Sequence, residues 1–240
     1  MKFLFMETFA TFAVFNHKHM EAKERFKVVY STDATEFLQK IGVKTREKIV
    51  YNIDKAIYTL DPELFKKLTG DIWEFRTLYN GKQYRLLAFW DKTCDVDTLV
   101  IATHGFIKKT QKTPSKEIGK AIEIMKAYFE QKKIKEMEEM KFYTHEEVKD
   151  LLIGEVGTPE RDRYEEQLDL FLIGDAIKQA RQAKNLTQED LGKLVGVQKA
   201  QISRIENGKN LTFATVIKLF KAMGLSARLE VDSLGKIALC

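Results

Sequence analysis

Apolar residues in the first half of the chain follow two periods. Residues Arg25 to Ser31 (RFKVVYS) alternate and are rich in β-branched and aromatic side chains, which predicts a strand. From Asp33 the spacing becomes helical: Phe37, Leu38 and Ile41, then Ile49, Val50, Ile53, Ile57 and Leu60, fall on either side of Gly42. A helical hairpin ending near Pro62 is expected. Two apolar-rich runs, Ile72–Tyr79 and Gln83–Trp90, flank Asn80-Gly81, a dipeptide suited to the positive backbone angles of a two-residue hairpin. A third run, Thr98–Phe106, follows the acidic loop Asp91–Asp97. Thr113 is expected to cap a helix whose first residue is Pro114, with Ile118, Ala121, Ile122, Met125 and Phe129 along its apolar stripe. The order is β, αα, βββ, α.

The second half reads differently. No helix breaker stands between Pro114 and Gly154, so a helical connector around Lys132–Met140 is expected. Thr158-Pro159 opens another helix, with Tyr164, Leu168 and Phe171 spaced to pack. Beyond Gly174 the pattern is all-helical until Ser226–Val231, which alternates weakly and predicts a short strand available to a symmetry mate. Thr187 suits a helix cap, Leu191 and Leu194 are placed inward, and Gly196-Val197 forms a turn. The next helix then begins near Gln198, with Ile202 and Ile205 on its buried side.

Charge divides the chain along the same lines. The net +5 of 240 residues conceals three blocks. Residues 1–135 hold 25 Lys/Arg against 17 Asp/Glu, residues 136–173 hold 4 against 12, and residues 174–240 hold 11 against 6. A basic block suits a polyanion such as RNA or DNA, since phosphate contacts and counterion release supply most sequence-independent affinity. Two cysteines, Cys94 and Cys240, and four histidines never approach metal-ligand spacing, so neither a disulfide framework, a metal site nor a cofactor is expected. Five phenylalanines (Phe3, Phe5, Phe9, Phe12, Phe15) behind one lysine mimic a signal peptide. Glu7 interrupts them, no small-residue cleavage site follows, and the run falls short of the ~20 residues of a spanning helix. A cytoplasmic chain without membrane partners is expected, with residues 1–19 an extension and Met20 an alternative start.

Candidate chemistry lies where the hairpin register places it. A two-residue loop at Asn80-Gly81 sets Tyr79 opposite Lys82, Leu78 opposite Gln83 and Arg76 opposite Arg85, with Glu74 one step along the same face. Directly opposed like charges destabilise by up to ~1 kcal/mol unless a carboxylate or an external anion lies between them. The run HGFIKKTQKTP then concentrates His104, Lys108, Lys109 and Lys112 where the chain leaves the third strand. RNA cleavage by its own 2′-hydroxyl needs a base or positioned donor, stabilisation of the phosphorane, and a proton for the leaving oxygen, and such groups can supply them. The alternatives are a purely structural Glu74–Arg76–Arg85 cluster and a histidine that merely packs. In the last block, Gln198, Lys199, Gln201 and Arg204 are left facing a major groove, where Gln and Arg suit adenine and guanine edges.

IWEFR, the YR strand and HGFIKKTQKTPxxEIxxA, within Phe26–Tyr128, resemble the phage-derived HigB toxins of the RelE superfamily. That resemblance implies an α+β RelE/ParE-like fold over residues 20–135 and endonucleolytic cleavage of mRNA on the ribosome. By motif position Arg76, Arg85, Lys108, Lys109 and Lys112 form its candidate site, with His104 added from the residue reading. From Ile173 the sequence, including TQEDL and ISRIENGK, resembles the Xre/HigA helix-turn-helix family. An all-α Xre/Cro-type domain over residues 174–240 is implied, with Gln188 bonding a phosphate and bracing the recognition helix, and Asn207 and Lys209 near phosphates. Where that family often has Ser or Thr at the recognition-helix cap, this chain has Gln198. Residues 136–173, with KFYTHEEV and GTPERD, resemble the N-terminal part of HigA antitoxins, and Met137 and Met140 are candidate starts. The combined expectation is a toxin neutralised by contact with its antitoxin, in cis or between chains. The acidic segment then covers the basic patch or blocks its access to the ribosome. A homodimer through the helix-turn-helix half binds operator DNA and represses its own promoter. The competing readings are a transcriptional regulator with a silent RelE-like domain and a ParE-like gyrase inhibitor.

Overall fold

The computed structural model describes residues 24–92, 99–110, 112–133, 142–231 and 235–238. They divide into two units, residues 24–164 and residues from 165 onward. The first unit contains β1 (Lys27–Ser31), α1 (Thr32–Lys40), α2 (Val43–Tyr58), β2 (Phe65–Thr69), β3 (Ile72–Tyr79), β4 (Lys82–Asp91), β5 (Leu99–Lys108), α3 (Ser115–Lys133), β6 (Phe142–Thr144) and α4 (His145–Leu152). Its sheet has the order β2-β3-β4-β5-β1-β6, with β1 and β5 parallel and every other pair antiparallel. This is the α+β domain expected.

Strand alternation gives the sheet two covered faces. On one, Leu38 of α1 and Ile49, Ile53 and Ile57 of α2 pack with Phe26, Val28, Tyr30, Phe75 and Leu86. On the other, Ala121, Ile122, Met125 and Phe129 of α3 meet Ile72, Leu87, Phe89 and Ile101. Each fully buried Leu, Ile or Phe contributes about 1.5–3 kcal/mol relative to exposure. A bulge between Leu87 and Ala88 makes Thr103 the extra residue of β5, and the Thr103 hydroxyl donates to the Leu87 carbonyl at 3.0 Å. The hairpin pairs as the turn requires, Tyr79 with Lys82, Leu78 with Gln83 and Arg76 with Arg85, and Asn80 (φ 47°) and Gly81 (φ 71°) adopt left-handed angles.

Several expectations change. Helix α2 stops at Tyr58, so Leu60 lies beyond it and is exposed. Helix α3 starts at Ser115, where the Pro114 carbonyl accepts from the Glu117 and Ile118 amides. Thr113 does not cap it, because its hydroxyl donates to Glu74 at 3.3 Å. Of the connector expected to be helical, Lys132 and Lys133 belong to α3 and the remainder lies outside the described residues; Phe142–Thr144 pairs with Val29–Ser31 as edge strand β6, and Thr144 then caps α4 in a reciprocal box with Glu147. Residues 136–173 therefore do not stand as a separate segment, since 142–164 belong to the first unit.

Helix α5 (Pro159–Ala183) opens at the expected Pro159. The second unit continues through α6 (Gln188–Val195), α7 (Lys199–Glu206), α8 (Phe213–Ala222), β7 (Arg228–Val231) and β8 (Gly235–Ala238). Thr187 and Asp190 form a capping box, and Gly196 makes the turn at φ 74°. Ile177, Leu191, Val195, Ile202, Ile205, Leu219 and Phe220 form the core. Leu194, placed inward by the sequence reading, is 56% exposed, because the i, i+4 pair Leu191 and Val195 takes the buried face. A Cβ on Gly174 would lie 2.6 Å from the Ile205 carbonyl oxygen, so α5 approaches the end of α7 as closely as glycine allows. Strand β7 pairs with β8 of the same chain, where the sequence suggested a symmetry mate.

Candidate nucleic-acid sites

One basic cluster forms on the α3 face of the sheet, beyond the end of that helix. In register across β3, β4 and β5 lie the rows Glu74–Leu87–His104, Arg76–Arg85–Phe106 and Leu78–Gln83–Lys108. Glu74 is 2% exposed and sits between the two arginines, with its carboxylate 3.6 Å from Arg76 Nε and 3.5 Å from Arg85 Nε. Both Nε atoms are buried and make no hydrogen bond, while the rest of each guanidinium is held. Arg85 donates to the Tyr84 carbonyl and the Gln83 side chain at 2.9 Å each, and Arg76 donates to the Pro62 carbonyl at 3.1 Å. Exposed Glu63 lies 3.1 Å from Arg76. The opposed arginines thus have the local carboxylate that their register calls for, yet Lys108 joins them and positive charge remains in excess. Burial, ahead of the neighbouring arginines, pushes the Lys108 ammonium below the usual lysine value despite the opposing pull of Glu74.

The other predicted residues are placed differently. Lys109 and Lys112 are exposed on the chain that leaves β5, and that chain returns to the cluster only through Thr113. His104 is 3% exposed beneath α3, with Nε2 3.1 Å from Glu117 and Nδ1 3.2 Å from Thr103 Oγ1. Burial, followed by Lys120, lowers its pKa from 6.5. Both ring nitrogens are engaged, Nδ1 within β5 and Nε2 joining the sheet to the first turn of α3.

A second cluster escaped the sequence reading. His145, at the start of α4, places Nε2 2.7 Å from Asp54 Oδ1 and Nδ1 2.8 Å from the Tyr30 hydroxyl, and its ring stacks on Tyr30 at 5.8 Å. Tyr164 also donates to Asp54, and Lys149 lies 4.0 Å away. Burial pushes the Asp54 carboxyl up, but His145, Lys149 and Tyr164 outweigh it and hold it below 3.8. Arg46 of α2 reaches the Leu152 carbonyl at 3.3 Å, and Phe142 meets Tyr128 of α3 edge to face. Residues 142–164 are therefore fixed to β1, α2 and α3 by a short ladder and a buried polar network. The signal was one carboxylate, Asp54, within the apolar stripe of α2.

In the second unit, Gln198, Lys199, Gln201 and Arg204 are exposed on α7, opposite buried Ile202 and Ile205. Gln198 occupies the cap position of α7 without a side-chain bond. Gln188 donates to Glu206 at 2.8 Å, and Glu206 receives Arg181 through two nitrogens, at 2.5 and 3.1 Å. Gln188 thereby braces the end of α7 from α6. Asn207, exposed, donates to the Ser203 carbonyl at 2.7 Å, and Lys209 is exposed beside it.

Residues 36–126 match the family described as phage-derived Gp49-like proteins, and residues 177–229 match a helix-turn-helix family. The chain thus carries one stretch similar to Gp49-like proteins and a second similar to helix-turn-helix proteins. This pairing supports a toxin–antitoxin fusion with a DNA-binding half. The Gp49-like match begins inside α1 and ends inside α3, so it includes Arg76, Arg85 and Lys108. The helix-turn-helix match includes all of α6 and α7. Comparison with curated proteins gives no match. Among the described residues no helix is long and apolar enough to cross a membrane.

Proposed function

We propose that this chain is a ribosome-dependent mRNA endonuclease and its own antitoxin in one polypeptide. The observation that carries the reading is the convergence of Arg76, Arg85 and Lys108 around buried Glu74 on one face of the sheet. In the reaction the 2′-oxygen of one nucleotide attacks the adjacent phosphorus and gives up its proton. The bond from phosphorus to the 5′-oxygen breaks, and that oxygen is protonated. Arg76 and Arg85, fixed by backbone carbonyls and by Glu74, stabilise the charge gathered on the phosphorane without reorganising. Lys108, with its ammonium weakened by burial, suits protonation of the departing oxygen. Residues 142–164 contact the opposite edge and the α2 side, so silencing acts through bulk that denies the domain its place on the ribosome. This differs from an acidic arm laid over the arginines.

The helix-turn-helix half binds operator DNA as a dimer and represses its own promoter. Replacing both Lys199 and Arg204 by alanine is expected to weaken operator binding at least tenfold, one to three kcal/mol being the usual worth of a good base contact. Mobility shift of the promoter fragment checks this, and unchanged binding removes α7 as the reading helix. The nuclease half is tested by message integrity in a cell-free translation reaction to which residues 20–135 are added, with and without residues 136–240 as a second chain. Cleavage by the first piece, suppressed by the second, is expected. Intact message in both, with the first piece folded by circular dichroism, refutes the nuclease.

A further inference from the structure

Both tryptophans of the chain, Trp73 and Trp90, line one cavity of about 760 Å³, together with Phe26, Arg25, Lys67 and Lys92. It lies at the end of the sheet away from the Asn80-Gly81 turn, and the nucleic-acid chemistry described above makes no use of it. The two indoles meet edge to face at 5.5 Å. Each is backed by a phenylalanine, Trp73 stacking on Phe65 at 5.1 Å and Trp90 meeting Phe26 at 5.2 Å. Both remain half-buried, so rigid aromatic surface faces the cavity. At its rim Lys67 and Lys92 are exposed, and Arg25 is tied to the Thr59 carbonyl at 2.6 Å. Asp71 is the one carboxylate among the described lining residues. Aromatic faces beside cations are the chemistry that holds unpaired bases and their phosphates.

A route connects this cavity to the basic cluster. Edge strand β2 carries Lys66 opposite Glu74 and Lys67 opposite Trp73, so consecutive lysines serve the two faces. Trp73 and Arg76 are three residues apart on β3, roughly 10 Å at ~3.3 Å per residue.

We propose that the cavity is a second contact for single-stranded RNA, in which an unpaired base rests against Trp73 and Trp90 while Lys67 and Lys92 meet flanking phosphates, and the strand crosses the β2 edge to Arg76, Arg85 and Lys108. The path of the strand rests on the ribonuclease reading; the base contact does not. It gives the Gp49-like domain a hold on unpaired RNA that is separate from its reacting groups.

Because the chain has no other tryptophan, intrinsic fluorescence reports on this cavity even though the helix-turn-helix half also carries cations. The full chain titrated with a single-stranded adenine dodecamer RNA is expected to show saturable quenching, and the same RNA as a duplex much less. Lys67→Ala with Lys92→Ala, both at exposed positions, is expected to weaken the quenching isotherm about tenfold. The double variant should also reduce the log–log salt slope by about 1.4, the loss of two phosphate contacts to a single strand. Unchanged emission where anisotropy shows the RNA bound overturns the proposal, as does equal quenching of the double variant. An emission shift on deleting residues 1–19 with no response to RNA also overturns it and makes the chain's own N-terminal segment the occupant. Quenching in the full chain, with message left intact by folded residues 20–135 alone, leaves the cavity's role standing and removes the ribonuclease reading. Cleavage without quenching does the reverse.

Discussion

Replacing Asp54 by alanine is expected to destabilise the unit spanning residues 24–164 by about 3–5 kcal/mol, the usual cost of removing one partner from a buried charge pair. Asp54 is 2% exposed and is the common acceptor for His145 and Tyr164, with Lys149 4.0 Å away. Its loss leaves a buried imidazole and a buried phenol without their carboxylate, while Lys149 keeps Glu146 at 2.6 Å, and all three side chains come from residues 142–164. The variant therefore loosens that segment as well as the core of α2, and urea denaturation should show a lower midpoint. Asp54→Asn keeps shape and some hydrogen bonding, so its loss should be smaller. A pH dependence follows from the depressed carboxyl. The unfolded chain takes up the proton more readily, so the stabilisation is fully present above the ordinary aspartate value of 3.8 and is lost as pH falls through the lower folded value. The gap in stability between the wild type and Asp54→Asn should thus narrow below pH ~4. A gap that stays constant into that range contradicts the assignment of Asp54 as the charged partner.

In the unsilenced piece, residues 20–135, Arg85→Ala should lower message cleavage by about 10²–10³-fold, the range found when one preorganised donor to a developing anion is removed. The side chain is 4% exposed and fixed by the Tyr84 carbonyl and Gln83, so no other group can swing into its place. Arg85→Lys tests geometry against charge: it keeps the cation but lacks the planar fork, and an intermediate loss of about tenfold is expected. Removing Arg85 also leaves Glu74 with Arg76 and the Thr113 hydroxyl, so circular dichroism and melting must accompany the rate. A folded Arg85→Ala protein that cleaves at the wild-type rate moves the reaction elsewhere.

Most of the scaffold was legible because local chemistry decides it. Asn80-Gly81 sets the hairpin register, and with it the opposition of Arg76 and Arg85. Thr187, Gly196, Ile202 and Ile205 likewise define the helix-turn-helix from capping, turn geometry and period. What escaped depends on partners distant in sequence. Strand β2 is five residues long and polar at three of them, and β6 is three residues long, so neither carries a period of its own. Thr113 was placed as a cap because its neighbours suit a helix start, yet tertiary contact gives its hydroxyl to Glu74. The His145–Asp54 bond joins residues 91 positions apart, and only the odd carboxylate in an apolar stripe hinted at it. Charge blocks suggested that the acidic segment meets the basic patch, whereas its fixed contacts are a β ladder and one buried network.

The proposed silencing of a nuclease by residues 142–164 of its own chain can be read out in the intact polypeptide. Message cleavage in a cell-free translation reaction would be compared for the wild type, for His145→Ala with Tyr164→Phe, and for that pair with Arg85→Ala, each shown to be folded. Silence from the wild type, cleavage from the loosened chain and silence again without Arg85 are expected. A loosened chain that leaves message intact, or cleavage that survives the loss of Arg85, contradicts the account.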